Sequence, residues 1–264
     1  MTELSEALAA PVEAPLTGRP IRQLTLPGVF GVWAAATVPM AVGAWVLAPL
    51  IAAGSAAPFA LAQALIVLLT AGMAWQFVMV LVLVFLEQRS LRWAVVRDAL
   101  WLRAPQNPKT GKRGGRMWWV VPIFVFAFAL VELLPFEIAP VVGRDFGDFL
   151  GAPEGQAMLS GSLPWLLLIF AFFVFNTVLG EELLFRGYLL PRMSGVFGKR
   201  DWIANGILFA AYHLHIPWTI PIALIDTFIF SLPSRRYRSA WIGIIAHSGQ
   251  SLVLFPLVVL LVLS

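Results

Sequence analysis

The chain has 264 residues, of which 60% are hydrophobic, and its mean hydropathy is +0.86. Soluble domains usually contain about 45–50% apolar residues, so this composition excludes an ordinary soluble protein and predicts one integral membrane domain. The absence of cysteine excludes disulfides, thiolate nucleophiles and thiolate metal ligands. The net charge is +4, but basic residues in a membrane protein chiefly set its orientation, so we expect no nucleic-acid partner.

The first 26 residues are mixed in character and lack the basic-then-apolar layout of a cleaved signal peptide, which predicts a disordered cytoplasmic tail over 1–26 and a membrane domain over 27–264. Apolar runs then recur, most of them long enough to cross a bilayer as a helix. The segments lie at 28–53, 60–86, 118–140, 163–185, 202–216, 218–232 and 240–263. The fifth and sixth are short, and "HIPWTIP" between them favours a helical hairpin. The predicted fold class is all-α, a polytopic transmembrane helical bundle of about seven to eight spans.

The distribution of lysine and arginine along the chain tests the predicted arrangement of membrane spans. Lysine and arginine are concentrated in the tail, in the loop 87–117, between Arg186 and Arg200, and in "SRRYRS". With the N-terminus inside, all of these regions are cytoplasmic and Arg144 alone lies outside. This positive-inside bias predicts a cytoplasmic N-terminus, and we expect the protein to lie in a bacterial-type plasma membrane. The basic loop is expected to contact anionic membrane lipids.

The stretch "GEELLFR" places charged residues in an apolar segment, where they are costly and persist when they pair or function. Glu182 and Arg186 are four residues apart on a helix and therefore share a face, which predicts an ion pair. Glu181 lies about 100° around the helix, on the face of Phe185, and is left as the free carboxylate that can act as a general base. The plainer interpretation is that both glutamates mark a helix end and reach toward water.

Histidines in later segments favour a functional site over that plainer interpretation. His213 follows Phe209 by one helical turn, and His247 shares a helical face with Ser251. His215 is expected to point elsewhere, as an interfacial residue. The free carboxylate and the other two histidines thus come from three different segments at comparable depth, which is typical of a site.

Two chemistries suit these groups. A carboxylate and a histidine can hold and deprotonate water, while a second histidine binds the oxyanion formed by attack on a carbonyl. Alternatively, Glu181, His213 and His247 can ligate zinc and leave one position open for water. The chain lacks H-E-x-x-H and G-x-S-x-G. For a transporter, the alternative among polytopic proteins, Asp226 is the residue that would matter.

The order of three motifs resembles a known family. "EELLFR" fits E-E-x-x-x-R, "FAAYH" fits F-x-x-x-H, and "SAWIGIIAHSGQS" is similar to a third motif that carries a histidine. Together, over roughly residues 163–255, they resemble the CPBP (CAAX protease and bacteriocin-processing) family of intramembrane proteases, which includes type II CAAX endopeptidases. The resemblance divides the membrane domain into N-terminal spans at 27–162 and a protease core at 163–264.

The resemblance implies a membrane endopeptidase that hydrolyses membrane-associated or lipidated peptides or proteins. Glu181 would activate water, His213 would assist it, and His247 would help to bind the oxyanion. The supporting residues would be Glu182, Arg186, Phe209, Ser251 and Gln250.

The third motif of the family usually reads H-x-x-x-N, but Ser251 stands at its last position here, with Gln250 as a substitute on the neighbouring face. The implied mechanism is either glutamate-dependent without a metal or zinc-dependent. The alternative function is a catalytically weak or inactive CPBP-like scaffold or bacteriocin-immunity protein.

Overall fold

The structure, a computed structural model, describes residues 18–57, 59–134 and 138–263, and these residues form helices joined by turns, with an isolated β-bridge between Gln106 and Arg113. The predicted all-α class is confirmed. In chain order the helices are α1 (Leu26–Ala53), α2 (Ala60–Gln88), α3 (Trp93–Ala99), α4 (Gly115–Val131), α5 (Phe146–Gly151), α6 (Pro153–Leu159), α7 (Leu163–Arg192), α8 (Ser194–Phe197), α9 (Asp201–Tyr212), α10 (Ile220–Ile225), α11 (Leu232–Tyr237) and α12 (Trp241–Leu263).

Among the described residues, four helices are long and apolar enough to cross a bilayer: α1, α2, α7 and α12. Their length and composition identify an integral membrane protein. The shorter apolar helix α4 covers most of the predicted segment 118–140, in which 135–137 lie outside the described residues. The predicted count of seven to eight spans is not confirmed.

The segments predicted at 202–216 and 218–232 are interrupted by short turns. Helix α9 has 12 residues and is followed by the 3₁₀ turns His213–His215 and Pro217–Thr219, after which α10 has only 6 residues. Pro217 starts the second of these turns and has no backbone N–H, so it removes one hydrogen bond from an α-helical ladder and favours a break there. These turns overlap the connection predicted at "HIPWTIP", although the break begins two residues earlier, at His213.

Helix α7 is wound unusually where the charged residues lie. Two π-helical stretches, Phe175–Gly180 and Leu183–Leu189, flank the two adjacent glutamates. All residues of the second stretch are buried, and its apolar and aromatic side chains belong to the main hydrophobic core. Because π-turns are rare and frequently mark functional sites, this winding singles out the middle of α7.

Only residues 18–26 of the predicted tail are described, and the predicted disorder of 1–17 lies outside the described residues. The amide of Leu24 donates to the carbonyl of Arg192 at 2.9 Å, and the side chain of Gln23 donates to the carbonyl of Pro191 at 2.9 Å. These hydrogen bonds hold the segment that precedes α1 against the C-terminal end of α7. The α1 helix then begins after Thr25, whose hydroxyl accepts a hydrogen bond from the amide of Gly28.

Helix α9 packs very closely against the π-turn Thr227–Ser231. A Cβ added at Gly206 would lie 2.1 Å from Oγ1 and 2.2 Å from Cγ2 of Thr227. Glycine is therefore needed at this crossing because no side chain fits between the two backbones. The crossing holds the helix that leads into His213 against the segment that follows Asp226.

We expect Gly206→Ala to lower the thermal unfolding temperature in detergent, because overpacking a buried contact costs about 1–3 kcal/mol. Gly31→Ala on α1 is the matched control, since its added methyl group would meet open space. That control should unfold at or above the wild-type temperature. Equal unfolding temperatures for Gly206→Ala and wild type would contradict the close crossing.

Candidate active site

A cavity of about 670 Å³ lies between the helices, and most of its wall is apolar. Helices α1, α2, α4, α7, α9 and α12 contribute to it, together with residues in the stretches 143–147, 149–150 and 213–226. Its titratable lining side chains are Glu132, Arg144, Asp145, Glu181, His213, His215, Asp226 and His247. The three positions predicted to form a site, Glu181, His213 and His247, therefore border one cavity.

The carboxylate of Glu182 holds two partners at once. Its Oε1 accepts a hydrogen bond from Nη1 of Arg186 at 2.9 Å and lies 3.2 Å from Nδ1 of His247. The predicted ion pair between Glu182 and Arg186 is thus confirmed, and both side chains are fully buried. The contact with His247 was not predicted, because it joins α7 to α12 across 65 residues of chain.

The guanidinium of Arg186 also lies on aromatic rings. Its central carbon is 3.9 Å from the ring centroid of Phe209 and 5.1 Å from that of Phe230. A planar guanidinium over an aromatic face is stabilised by cation–π attraction. Phe209 therefore connects the charged pair on α7 to the helix that precedes His213.

Helix α12 approaches the carboxylate of Glu182 at a glycine. A Cβ added at Gly243 would lie 2.3 Å from Oε2 of Glu182 and 3.3 Å from Cγ of Arg186. The space normally taken by a side chain is thus occupied by the ion pair. Gly243 is one turn before His247, so this close approach brings the histidine within reach of Glu182.

Glu181 is 2% exposed, and its Oε2 has no hydrogen-bond partner among the described residues. It interacts with the hydroxyl of Tyr212, which accepts a hydrogen bond from Nε2 of Gln76 at 2.8 Å. Because that oxygen accepts from Gln76, its own proton is available to the carboxylate. Sequence reasoning missed Tyr212 and Gln76; a lone buried glutamine within an apolar span was the available signal for the latter.

The ring of His213 is oriented by the backbone. Its Nδ1 lies 2.9 Å from the carbonyl oxygen of Phe209, and the two rings meet edge to face with centroids 4.8 Å apart. A carbonyl can only accept, so Nδ1 carries the proton of this bond. Nε2 of the neutral ring is then an acceptor.

His215 differs from its prediction as an interfacial residue. It is buried, lines the cavity, and stacks on His213 with ring centroids 5.7 Å apart. The 3₁₀ turn His213–His215 explains the difference, because the tighter winding places side chains on faces that α-helical spacing does not predict.

Gln250 and Ser251, at the end of the third motif, have different surroundings. Gln250 lines the cavity, whereas Ser251 is not among the lining residues. The hydroxyl of Ser251 donates instead to Oγ1 of Thr177 at 3.4 Å. An amide from α12 is therefore available at the cavity, but one residue earlier than the motif's asparagine.

The zinc alternative requires side chains gathered around one point. In the ranges that the structure describes, no group of three or more His, Cys, Asp or Glu side chains is placed to hold a metal ion. Glu181, His213 and His247 share a cavity without forming such a group.

Replacing Glu182 by glutamine should strongly destabilise the protein. The isosteric amide removes the negative charge opposite Arg186, and leaving one member of a buried ion pair uncompensated costs about 3–5 kcal/mol. Thermal unfolding in detergent measures the effect. The double variant Glu182→Gln/Arg186→Met should recover much of the loss because it also removes the stranded cation. A Glu182→Gln variant as stable as wild type would contradict the role of the pair.

One comparison with known proteins gives a match. The family model described as type II CAAX prenyl endopeptidase Rce1-like matches residues 163–253. No curated protein and no solved structure matches the chain. The matched region runs from the start of α7 into α12 and contains Glu181, His213 and His247. Residues 163–253 are therefore similar to Rce1-like type II CAAX prenyl endopeptidases, and the family resemblance drawn from the three ordered motifs is confirmed over this region.

Proposed function

We propose that the protein is an intramembrane endopeptidase of the CAAX type in which Glu181 activates water for attack on a peptide carbonyl. The observation that carries this proposal is the shared cavity bordered by Glu181, His213 and His247. A general base must reach the water that it deprotonates, and a buried carboxylate with one oxygen that no described residue engages is suited to this. The family match supports the reaction class.

His213 assists by holding the water. With its Nδ1 proton directed at the carbonyl of Phe209, Nε2 accepts a hydrogen bond from the water. Glu181 accepts the other proton as the water oxygen bonds to the carbonyl carbon. Tyr212 and Gln76 orient the carboxylate during this step. The proton taken by Glu181 then passes to the leaving nitrogen as the C–N bond breaks.

His247 stabilises the oxyanion that forms on the former carbonyl oxygen. Its Nδ1 faces the carboxylate of Glu182, so a proton on Nε2 makes a ring cation whose charge the carboxylate balances. The amide of Gln250, which lines the same cavity, supplies a second donor. Removing one such donor typically reduces kcat by about 10²–10³-fold.

The substrate is a membrane-associated or lipidated peptide or protein. An apolar cavity of about 670 Å³ accommodates a bound segment together with apolar side chains or a lipid chain. We place this chemistry in a protease core at 163–264, with spans at 27–162 preceding it and the N-terminus in the cytoplasm of a bacterial-type cell. The reaction proceeds without a metal ion.

An inactive scaffold is the second candidate, and Ser251 favours it. This residue replaces the asparagine of the third motif, and its hydroxyl is bonded to Thr177. If wild type lacks peptidase activity and Ser251→Asn gains it, the scaffold function is supported.

Glu181→Gln should reduce kcat/KM for quenched fluorescent peptides by about 10²–10⁴-fold, because it removes the general base and preserves side-chain shape. Purified protein in detergent or in proteoliposomes is the sample. Glu154→Gln, at an exposed carboxylate, is the matched control and should retain wild-type turnover. Stripping metals with EDTA should leave wild-type turnover unchanged. Equal cleavage by Glu181→Gln and wild type, or loss of activity with EDTA, would refute the mechanism.

Gly243→Ala should lower kcat by at least about tenfold, because a methyl group at this position displaces Glu182 and with it the partner of His247. Gly249→Ala on the same helix is the control, since its added Cβ would make an ordinary contact at 3.7 Å with Val125. The rates are compared at matched protein folding, checked by size exclusion. Unchanged kcat in Gly243→Ala would argue against the dependence on Glu182.

A further inference from the structure

The proposed mechanism leaves one buried carboxylate of the cavity unused. Asp226 is 6% exposed and lines the cavity, and its Oδ1 has no hydrogen-bond partner among the described residues. It lies directly after α10 and before the π-turn Thr227–Ser231. A carboxylate without a partner in an apolar interior is costly, so it is expected where a ligand supplies the partner.

A second carboxylate stands near Asp226. Glu132, at the end of α4, lines the same cavity and interacts electrostatically with Asp226. Glu132 is exposed, so it occupies an accessible part of the wall while Asp226 is buried. Two like charges that face one space repel each other, and a cation between them relieves the repulsion.

The cations around Asp226 are already engaged. Arg186 is bonded to Glu182, and His247 shares that same carboxylate. Arg144, on the cavity wall, donates to the carbonyl of Ala44 at 2.7 Å and lies over the ring of Trp45. Arg186 and His247 also interact electrostatically with Asp226, but both are shared with the carboxylate of Glu182, so a cation supplied by a ligand would still gain a partner at Asp226.

We infer that Asp226 and Glu132 form a subsite for a basic side chain, lysine or arginine, of the substrate next to the cleaved bond. This inference rests on the proposed function and names its substrate class. Asp226 also interacts with His247, the proposed oxyanion donor, which locates the subsite beside the reacting carbonyl. A flexible lysine or arginine stem crosses the apolar wall, while its charged end reaches the two carboxylates. A free metal ion is a poorer occupant, because the described residues offer no group of three ligands.

Paired peptides test the subsite. Each pair is identical except for lysine or norleucine at one position within four residues of the cleaved bond. When the varied position is the one that the subsite binds, wild type should cleave the lysine peptide with a kcat/KM about tenfold above that of the matched norleucine peptide. Asp226→Asn should bring this ratio close to one, and Glu132→Gln should reduce it in part. Asp148→Asn, an exposed carboxylate outside the cavity lining, should retain the wild-type ratio.

Three outcomes would overturn the inference: a wild-type ratio near one at every position, an unchanged ratio in Asp226→Asn, or an equal loss for both peptides of a pair. The last would mean that Asp226 positions His247 instead of binding substrate. If Asp226→Asn does not fold, the ratio of kcat/KM for the lysine and norleucine peptides in Glu132→Gln tests the inference. A reduced ratio supports the subsite, and an unchanged ratio contradicts it.

A binding arm separates this inference from the proposed function. Fluorescein-labelled lysine and norleucine peptides are titrated against Glu181→Gln and against Glu181→Gln/Asp226→Asn. If Glu181→Gln binds the lysine peptide more tightly than the norleucine peptide, and Glu181→Gln/Asp226→Asn does not, the subsite is supported even if wild type cleaves no peptide. Equal binding of the two peptides by the first variant rejects the subsite whether or not the protein is a protease.

Discussion

The buried carboxylate of Glu182 carries the contacts on which the rest of the site depends. It pairs with Arg186 on its own helix and lies within hydrogen-bonding distance of His247 on α12, where Gly243 leaves the space for it. Removing a charge from water is costly, and only good geometry with both partners compensates that cost. The same carboxylate thereby fixes how α7 and α12 pack and where the histidine ring lies.

This arrangement separates the two neighbouring glutamates by function. Because Arg186 and His247 lie within hydrogen-bonding distance of Glu182, the hydrogen-bonding partner of Glu181 is the neutral Tyr212, and its Oε2 has no partner among the described residues. The π-turns on either side of the pair change the helical winding at this point. One carboxylate then supports the structure, and the adjacent one is free for chemistry.

The cavity combines an apolar wall with several carboxylates, which is an unusual combination inside a membrane domain. Within the part of the chain that the structure describes, one buried oxygen on each of Glu181 and Asp226 has no hydrogen-bond partner, which reduces stability because each is desolvated without full compensation. Local features of this kind concentrate at functional sites, where the missing interactions are supplied by a substrate or by the reaction. The proposed general base and the proposed cationic subsite both follow from this pattern.

By itself the sequence determined the all-α class, the membrane location, the Glu182–Arg186 pair and the family resemblance of residues 163–253. These follow from local hydrophobicity, from helical spacing and from ordered motifs. The tertiary structure alone decided which distant side chains meet. It joined His247 to Glu182 and brought Gln76 to Tyr212. Helical spacing states which residues share a face, but packing determines what that face contacts, and the breaks after α9 change the spacing itself.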